Sequence, residues 1–516
     1  MGSGSSAPFA LELRGVSKSF GLIRANKNIN LQIQPGSIHG IIGENGAGKS
    51  TLMNIVYGMH ERDEGDILVG GQAVDIRSSA DAIRHGIGMV HQHFMLVPTF
   101  TVVENVMLGS EAGSLLREGR EAARARVTEL SESYNLAVDP DARVSELNVG
   151  QRQRVEIIKA LKGGANILIL DEPTGVLTPQ EAAQLFEILK VLRDRGVAVL
   201  LITHKLAEIM EITDAVDIMR HGEIVGHRKT ADTSPAELAE LMVGRKVLLE
   251  VARSEATPGQ VQLSARGLGY KNNQGVIELE DISFDLRAGE ILGVAGVSGN
   301  GQTQLMEVLA GMRHLTSGAV EILGTQITPA SVTTPRIIRD LGVGHIPEDR
   351  HKHGLVLQFE ARENMILGQH DRDLAGTGAL LDPKRIDENC QEKMRDFDVR
   401  PASPGHRAKN FSGGNQQKIV IAREFSTGPS ILLVGQPTRG VDVGAIEAIH
   451  NQLQALKAEG CAILLVSVEL DEIISLSDRI MVLCDGKNVG IVTRAKADRQ
   501  TLGLMMAGQR QEALSA

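Results

Sequence analysis

The sequence predicts an α/β protein built as one unit written twice, and three observations carry that expectation. Apolar runs of strand length at 165–170 and 197–203 flank a segment, 179–195, whose Ala182, Leu185, Ile188, Leu189 and Leu192 recur at helical spacing. Strand, helix, strand in that order is a crossover unit with a parallel sheet. Local sequences then repeat. Gly43-Glu-Asn-Gly-Ala-Gly48 is echoed by Gly296-Val-Ser-Gly-Asn-Gly301, an offset of 253 residues (43 to 296). Gly150 and Gly414, Asp171 and Gly435, and His204 and Val468 all stand 264 residues apart (150 to 414, 171 to 435, 204 to 468). An offset that steps once is the mark of a duplication with one insertion, whereas chance similarity would scatter. The units are read as 9–245 and 261–510. The segment 246–260 between them, which carries Pro258 and Gly259, is read as a short linker.

Composition supports ordinary globular domains and excludes several classes. Hydrophobic residues make up 42% and charged residues 23% of 516, enough apolar material for more than one core. The longest apolar stretches are strand-sized, far short of the roughly 18 residues a membrane span needs. Met1–Pro8 has neither the basic nor the apolar region of a secretory signal. Cys390, Cys461 and Cys484 form no CxxC pair, which suits a reducing compartment without disulfide framework or zinc site. A net charge of −10 argues against a nucleic-acid partner.

In the first unit, Ser37–Ile42 reads as a strand and Thr51–Tyr57 as a helix. Between them, Gly43-Glu-Asn-Gly-Ala-Gly48-Lys49-Ser50 fits G-x-x-x-x-G-K-[ST], the phosphate-binding P-loop. Its glycines let backbone N–H groups wrap a β-phosphate. Lys49 places a charge between β- and γ-phosphates, and Ser50 offers a hydroxyl to Mg²⁺. Asp171 and Glu172 end the strand 166–170. One carboxylate there serves Mg²⁺, and the next can take a proton from attacking water. His204 ends the following strand as a γ-phosphate sensor, and Gln92 closes another within reach of Mg²⁺ or the water. The HxH pairs His91/His93 and His351/His353 have no further ligands clustered nearby and are read as packing residues. Residues 115–162 read as helical. The arginines interleaved with glutamates at 117–126 read as a solvated face rather than an anion site.

The P-loop, Gln92, Leu147-Asn-Val-Gly-Gln151, Ile167-Leu-Ile-Leu-Asp-Glu-Pro-Thr174 and His204 occur in the order that resembles ATP-binding cassette (ABC) ATPases. The second unit carries Phe411-Ser-Gly-Gly-Asn-Gln-Gln-Lys418, which is similar to the ABC signature. With Pro347-Glu-Asp-Arg350 and Pro437-Thr-Arg-Gly-Val-Asp442, the tandem form resembles the fused ATPase subunits of bacterial importers for simple sugars and nucleosides. The resemblance implies two P-loop cassettes, each with a RecA-like α/β core, an antiparallel β part and a helical subdomain. The cassettes would pair head to tail within the chain, with ATP held between the P-loop of one and the signature of the other. By this resemblance Phe20 stacks on adenine, with Tyr270 near that place in the second unit. Gly43, Asn45, Gly46, Ala47, Gly48, Lys49, Ser50 and Thr51 would hold the phosphates, closed by Ser412, Gly413, Gly414 and Asn415. Glu172, Lys49, His204 and Gln92 would be catalytic, and Ser50, Gln92 and Asp171 would bind Mg²⁺.

The second unit departs at each hydrolytic position. Its loop keeps Gly296, Gly299, Gly301 and Thr303, but Gln302 stands where Lys49 stands. Gly435 and Gln436 replace Asp171 and Glu172, Val468 replaces His204, and Glu348 sits at the place of Gln92. In the first unit only the signature is altered: Asn148 and Val149 stand before Gly150 where Ser and Gly are usual. In a head-to-tail pair all defects fall on one site and all intact parts on the other. One hydrolytic site and one that at most binds nucleotide are expected.

The resemblance implies an ATPase docked peripherally on the cytoplasmic face of the inner membrane. Its partners would be two integral-membrane permease subunits, with an extracytoplasmic solute-binding protein delivering cargo. Residues 92–109, His93–Pro98 especially, would receive a permease helix. The segment 149–160 and Gly435-Gln-Pro-Thr438 favour the nucleoside or purine branch over a sugar importer. A soluble tandem cassette acting on ribosomes or DNA is the reading from another class, and the short linker and degenerate second site oppose it.

Overall fold

The computed structural model describes residues 8–21, 23–91, 94–108, 116–175, 177, 179–246, 258–297, 299–370, 380–441 and 443–509. Gln92, His93, Gly109, Asp442 and most of the expected linker lie outside them. The chain forms two compact units, Met1–Val247 and Leu248–Ala516. Among the described residues no helix is long and apolar enough to cross a membrane.

The first unit opens with a hairpin of β1 (Leu11–Phe20) and β2 (Ile23–Ile33). The chain then runs through β3 (Ile38–Gly43), α1 (Lys49–Val56), β4 (Glu64–Val69), β5 (Gln72–Val74), α2 (Ser79–Arg84) and β6 (Ile87–Val90). Three helices follow, α3 (Val102–Met107), α4 (Leu116–Ser133) and α5 (Val149–Lys162). It closes with β7 (Ile167–Asp171), α6 (Pro179–Asp194), β8 (Ala198–Ile202), α7 (Leu206–Ile212), β9 (Ala215–Arg220), β10 (Glu223–Lys229) and α8 (Pro235–Val243). Two sheets result: an antiparallel one in the order β2-β1-β4-β5, and a six-stranded one in the order β10-β9-β3-β8-β7-β6. The latter is parallel except for the antiparallel edge pair β9–β10. The unbroken apolar runs noted in the sequence are its central strands. Every residue of β3 and β8 is buried, as a strand covered on both faces requires. Leu11, Leu31, Ile41, Met53, Ile169 and Leu200 belong to one core between the sheets and α1.

Within the expected helical stretch 115–162 the described residues form α4 and α5, joined by a connection, 134–148, that carries a short 3-10 helix at Val144–Glu146. Asn135 takes a left-handed conformation (φ +55°) just past α4, and Leu136 N–H bonds back to the Ser131 carbonyl at 2.8 Å, closing the helix. Along α4, Arg120, Arg124 and Arg126 pair with Glu104, Asp141 and Glu129. These exposed ion pairs make the solvated face that the interleaved charges predict.

The second unit repeats this order. Its strands are β11 (Val261–Lys271), β12 (Ile277–Arg287), β13 (Ile291–Ala295), β14 (Ser317–Ile322), β15 (Thr325–Ile327), β16 (Val343–Ile346), β17 (Ile431–Gly435), β18 (Ala462–Val466), β19 (Arg479–Cys484) and β20 (Lys487–Thr493). Its helices are α9 (Gln302–Leu309), α10 (Pro335–Asp340), α11 (Ala361–Met365), α12 (Pro383–Asp396), α13 (Gly413–Phe425), α14 (Val443–Ala458), α15 (Leu470–Leu476) and α16 (Arg499–Met506). The sheets are β12-β11-β14-β15 and β16-β17-β18-β13-β19-β20. Register equates the units strand by strand: Ile42 lies beside Ile218, and Ala295 beside Val482.

Candidate nucleotide site

In the first unit β3 delivers the chain into the loop 43–48, and α1 begins at Lys49. Gly48 holds φ +101°, and a Cβ there would stand 2.3 Å from the Ala25 carbonyl oxygen. Only glycine allows both that turn and that approach. The buried Lys49 ammonium folds back on its own loop, donating to the carbonyls of Gly43 at 2.7 Å and Glu44 at 3.0 Å. Burial lowers its pKa, while Glu172, Asp171 and Glu44 favour the charged form. Asn45, Gly46 and Ser50 are exposed at the loop, Thr51 is half-buried, and Ala47 packs in the core.

Asp171 ends β7 and hydrogen-bonds the Ser50 hydroxyl; burial first, then neighbouring Glu172, raises its pKa. Glu172 is not on the strand. It turns left-handed (φ +46°), with its N–H donating to the Ile202 carbonyl at 2.9 Å. That turn aims its carboxylate at the end of β8, where Oε1 lies 3.0 Å from His204 Nδ1. The histidine bond outweighs desolvation and holds the Glu172 carboxyl below the usual range. An ionised carboxylate in this place can accept a proton at neutral pH. Residue patterns missed Glu208, which accepts hydrogen bonds from Thr174 and, at 3.1 Å, from Thr203. It ties the segment after Glu172 to the end of β8, and its one sequence signal is its place four residues past His204. Phe20, 46% exposed, ends β1 with its ring edge-on to His60 at 5.3 Å.

The second unit keeps the loop backbone and changes its chemistry. Gly299 and Gly301 hold φ +95° and +101°. Gln302 is buried like Lys49, and its Nε2 donates to the Val297 carbonyl at 3.1 Å. A Cβ on Gly296 would stand 2.3 Å from that nitrogen. Gln436 repeats the left-handed turn of Glu172 (φ +48°, N–H to Val466 carbonyl 2.8 Å), but its Oε1 accepts from the Val468 N–H at 3.2 Å. Glu348 accepts the Thr303 hydroxyl at 2.5 Å. A Cβ on Gly435 would meet Glu348 Cγ at 2.7 Å and its backbone nitrogen at 2.9 Å. The missing aspartate at 435 therefore does not leave the loop without a carboxylate. Glu348, following β16, fills its room and faces the same first-turn hydroxyl.

The family described as ABC transporter matches residues 26–175 and 279–439. The chain belongs to this family. It is 45% identical to a nucleoside import ATP-binding protein, NupA, of Lactococcus lactis subsp. cremoris, over 96% of this chain and 98% of that one. It is also 45% identical to a guanosine import ATP-binding protein, NupO, of Bacillus subtilis, over 98% of each. A glucose import ATP-binding protein, TsgD13, of Haloferax volcanii is 43% identical over 97% of this chain and 96% of that one. Among solved structures, an archaeal ribosome recycling factor bound to a ribosomal stalk protein aligns over 96% of this chain and 92% of that one. Its TM-score is 0.64 at 19% identity, a likeness of fold alone. The chain is thus an ABC ATPase with two ATP-binding cassettes, of the kind coupled to transport.

The two signature helices of these ABC cassettes begin differently. In the first cassette Asn148 and Gln151 form a reciprocal capping box: Asn148 Oδ1 accepts from Gln151 N–H at 2.8 Å, and Gln151 Oε1 from Asn148 N–H at 3.0 Å. Close behind, a Cβ on Gly150 would lie 3.1 Å from Glu181 Oε1. In the second cassette α13 has no side-chain cap. The exposed Ser412 hydroxyl accepts instead from Asn415 Nδ2 at 2.8 Å, and Asn415 Oδ1 accepts from Arg400 N–H at 2.7 Å. Gly413 and buried Gly414 form the first turn. The signature with the usual residues keeps open N–H groups; the altered one closes on itself.

Two expectations need correction or limits. Gln92 lies outside the described residues. Tyr270 does not occupy the place of Phe20: Ser17 faces Glu64 and Gly269 faces Ser317, so Phe20 corresponds to Asn272. β1 and β11 share this irregularity and correspond at a constant offset of 252 residues (Leu13 to Ala265, Val16 to Leu268). Tyr270 is buried, with the Arg313 guanidinium 5.0 Å over its ring and bonded to its hydroxyl at 2.9 Å. That face is not free for an adenine. The HxH residues go separate ways, His91 against Tyr57, His351 to Gln416 and His353 to Glu307.

Proposed function

We propose that this protein hydrolyses ATP to energise import of a nucleoside- or purine-like solute through a membrane permease. The observation that carries the reading is the convergence of Lys49, Asp171, Glu172 and His204 at the ends of β3, β7 and β8. It occurs in a chain 45% identical, nearly end to end, to proteins named for nucleoside and guanosine import. Lys49 exchanges its bonds to the loop carbonyls for phosphate oxygens. Glu172 draws the proton from water as its oxygen bonds to the γ-phosphorus and the bond to ADP breaks. His204 orients that carboxylate and donates to the γ-phosphate. The Ser50 hydroxyl and the Asp171 carboxylate, already paired, fit a Mg²⁺ ion, with Gln92 as a further ligand. Mg²⁺ would neutralise phosphate charge.

Ser412, Gly413, Gly414 and Asn415 supply open N–H groups to the phosphates held by the first P-loop. The second P-loop, with Gln302, Thr303, Glu348, Gly435, Gln436 and Val468, lacks a base and faces the self-capped signature at Asn148 and Gly150. One site hydrolyses and the other holds nucleotide at most. The partners are two permease subunits and, through them, an extracytoplasmic binding protein, with this chain peripheral on the cytoplasmic face. A sugar cargo is the second reading, supported by the 43% identity to a glucose import protein.

Reconstitution with a nucleoside-importer permease and its solute-binding protein tests the proposal. ATP-dependent uptake of labelled guanosine or adenosine, competed by purine nucleosides and not by ribose or glucose, is expected. Uptake of sugars alone moves the cargo to the second reading. ATPase stimulated by ribosomes and unaffected by permease overturns it. In Glu172→Gln, phosphate release falls about 10²–10⁴-fold while ATP binding persists; turnover near the wild-type rate removes Glu172 as the base.

A further inference from the structure

Away from the phosphate loop, the first cassette gathers three metal-ligating side chains that its role as an ATPase does not use. His39 on β3, Asp217 on β9 and His227 on β10 come from three adjacent strands. Their ligand atoms all lie within 4.8 Å of one another. Asp217 is the hub, with Oδ2 2.7 Å from His39 Nε2 and Oδ1 3.0 Å from His227 Nδ1. The two imidazoles lie nearly parallel, their centroids 5.9 Å apart. His39 and Asp217 are buried, whereas the His227 side chain is 58% exposed, leaving one side open to solvent.

The second cassette shows what this part of the fold requires without such a cluster. Pairing of β13 with β19, and of β19 with β20, places Leu292, Met481 and Ile491 at the three corresponding positions. All three belong to, or pack against, one apolar core. The sheet is therefore satisfied by hydrocarbon here. The first cassette instead bears two imidazoles and a carboxylate: buried His39 and Asp217 partner each other, and His227 joins them from the solvent side.

We propose that His39, Asp217 and His227 form a binding site for a first-row divalent transition metal of the zinc class. Two imidazole nitrogens and one carboxylate oxygen are a usual three-ligand set for this ion, with the open side left for water. Tetrahedral ligation at about 2.0–2.2 Å needs the donors slightly farther apart than their present hydrogen bonds. The exposed His227 ring can supply that movement. Each coordinating nitrogen must present its lone pair, so protons leave on binding. The ion would cross-link β3, β9 and β10. The turn between β9 and β10 also carries Gly222, whose N–H bonds the Ala47 carbonyl of the phosphate loop at 3.1 Å. The ion would thus brace the strands that hold this loop.

The test uses the full-length protein with Zn²⁺ or Co²⁺ as probe, measured by competition with a chromophoric chelator and by the visible absorption of Co²⁺. The variant His39→Leu/Asp217→Met/His227→Ile installs the residues of the second cassette, and His227→Ala changes only the exposed ligand. Wild type is expected to hold one ion that the triple variant does not, with a tetrahedral Co²⁺ spectrum and a thermal midpoint raised by Zn²⁺. His227→Ala is expected to weaken binding at least tenfold, which keeps the test sound if the triple variant misfolds. Both variants retain Mg²⁺-dependent ATPase activity. Equal Zn²⁺ affinity and stoichiometry in wild type and His227→Ala, or no Zn²⁺ bound by wild type, overturns the proposal.

Discussion

Single residues in the second cassette have changed in compensating sets. Gly435 is where a magnesium carboxylate would stand, yet Glu348 Cγ is only 2.7 Å from any Cβ placed there. Gly435→Ala alone should destabilise the protein by about 1–3 kcal/mol through overpacking. Glu348→Ala should recover part of that loss, because Cγ is then gone. A double-mutant cycle in urea reads the coupling, and strictly additive values would show that the two positions are independent. Titration behaviour gives a second handle. Burial pushes the His345 imidazole down to about 4 from 6.5, against the pull of Glu424. Between those values the unfolded chain binds the additional proton, so this group's contribution is complete above pH 6.5 and drains away as pH falls toward 4. The loss amounts to about 3 kcal/mol at most. His345→Gln, which cannot titrate, should flatten the acid limb of stability against pH measured by urea unfolding. An unchanged limb would locate the sensitivity elsewhere.

At the scale of elements, the two signature helices show what a sequence discloses and what it withholds. Asn148-Val-Gly-Gln151 is a capping box in plain text, and α5 starts there. Asn148→Ala should cost about 1 kcal/mol in thermal or urea unfolding. If, as proposed, the other signature completes the first P-loop's site, this substitution should leave ATP turnover unchanged; a loss of turnover would contradict that assignment. The loop 43–50 and the strand end at 171–172 were equally legible, being contiguous residues whose chemistry follows from spacing. Less legible were features that distant residues make together. Glu172 leaves its strand by a left-handed turn with no glycine to announce it. Gly435 and Glu348, 87 positions apart (348 to 435), meet only across β16 and β17. Tyr270 is an aromatic two residues short of the place that pairing with β14 gives to Asn272, and His39 meets Asp217 only through the pairing of β3 with β9.

For the whole molecule, the duplication was visible as a constant offset, and the paired sheets of each half follow from it. The residues of the proposed site are distributed unequally between the halves. The first cassette holds Glu172, Lys49 and His204 at neighbouring strand ends, whereas the uncapped signature helix belongs to the second. If the second cassette completes the first one's site, a change there must silence hydrolysis without touching the residues that perform it. Ser412 suits this test because it is exposed and does not cap its own helix, so its replacement should alter stability by no more than about 0.5 kcal/mol. Ser412→Arg should lower steady-state phosphate release at least a hundredfold while a fluorescent ATP analogue still binds the first P-loop. The mirror change, Asn148→Arg, should damage α5 and, if the proposed head-to-tail pairing holds, leave turnover largely intact, because the second phosphate loop carries Gln302 and Gln436 in place of lysine and glutamate. Equal loss of activity in both variants would mean two working sites, and no loss in Ser412→Arg would mean that each cassette hydrolyses ATP unaided.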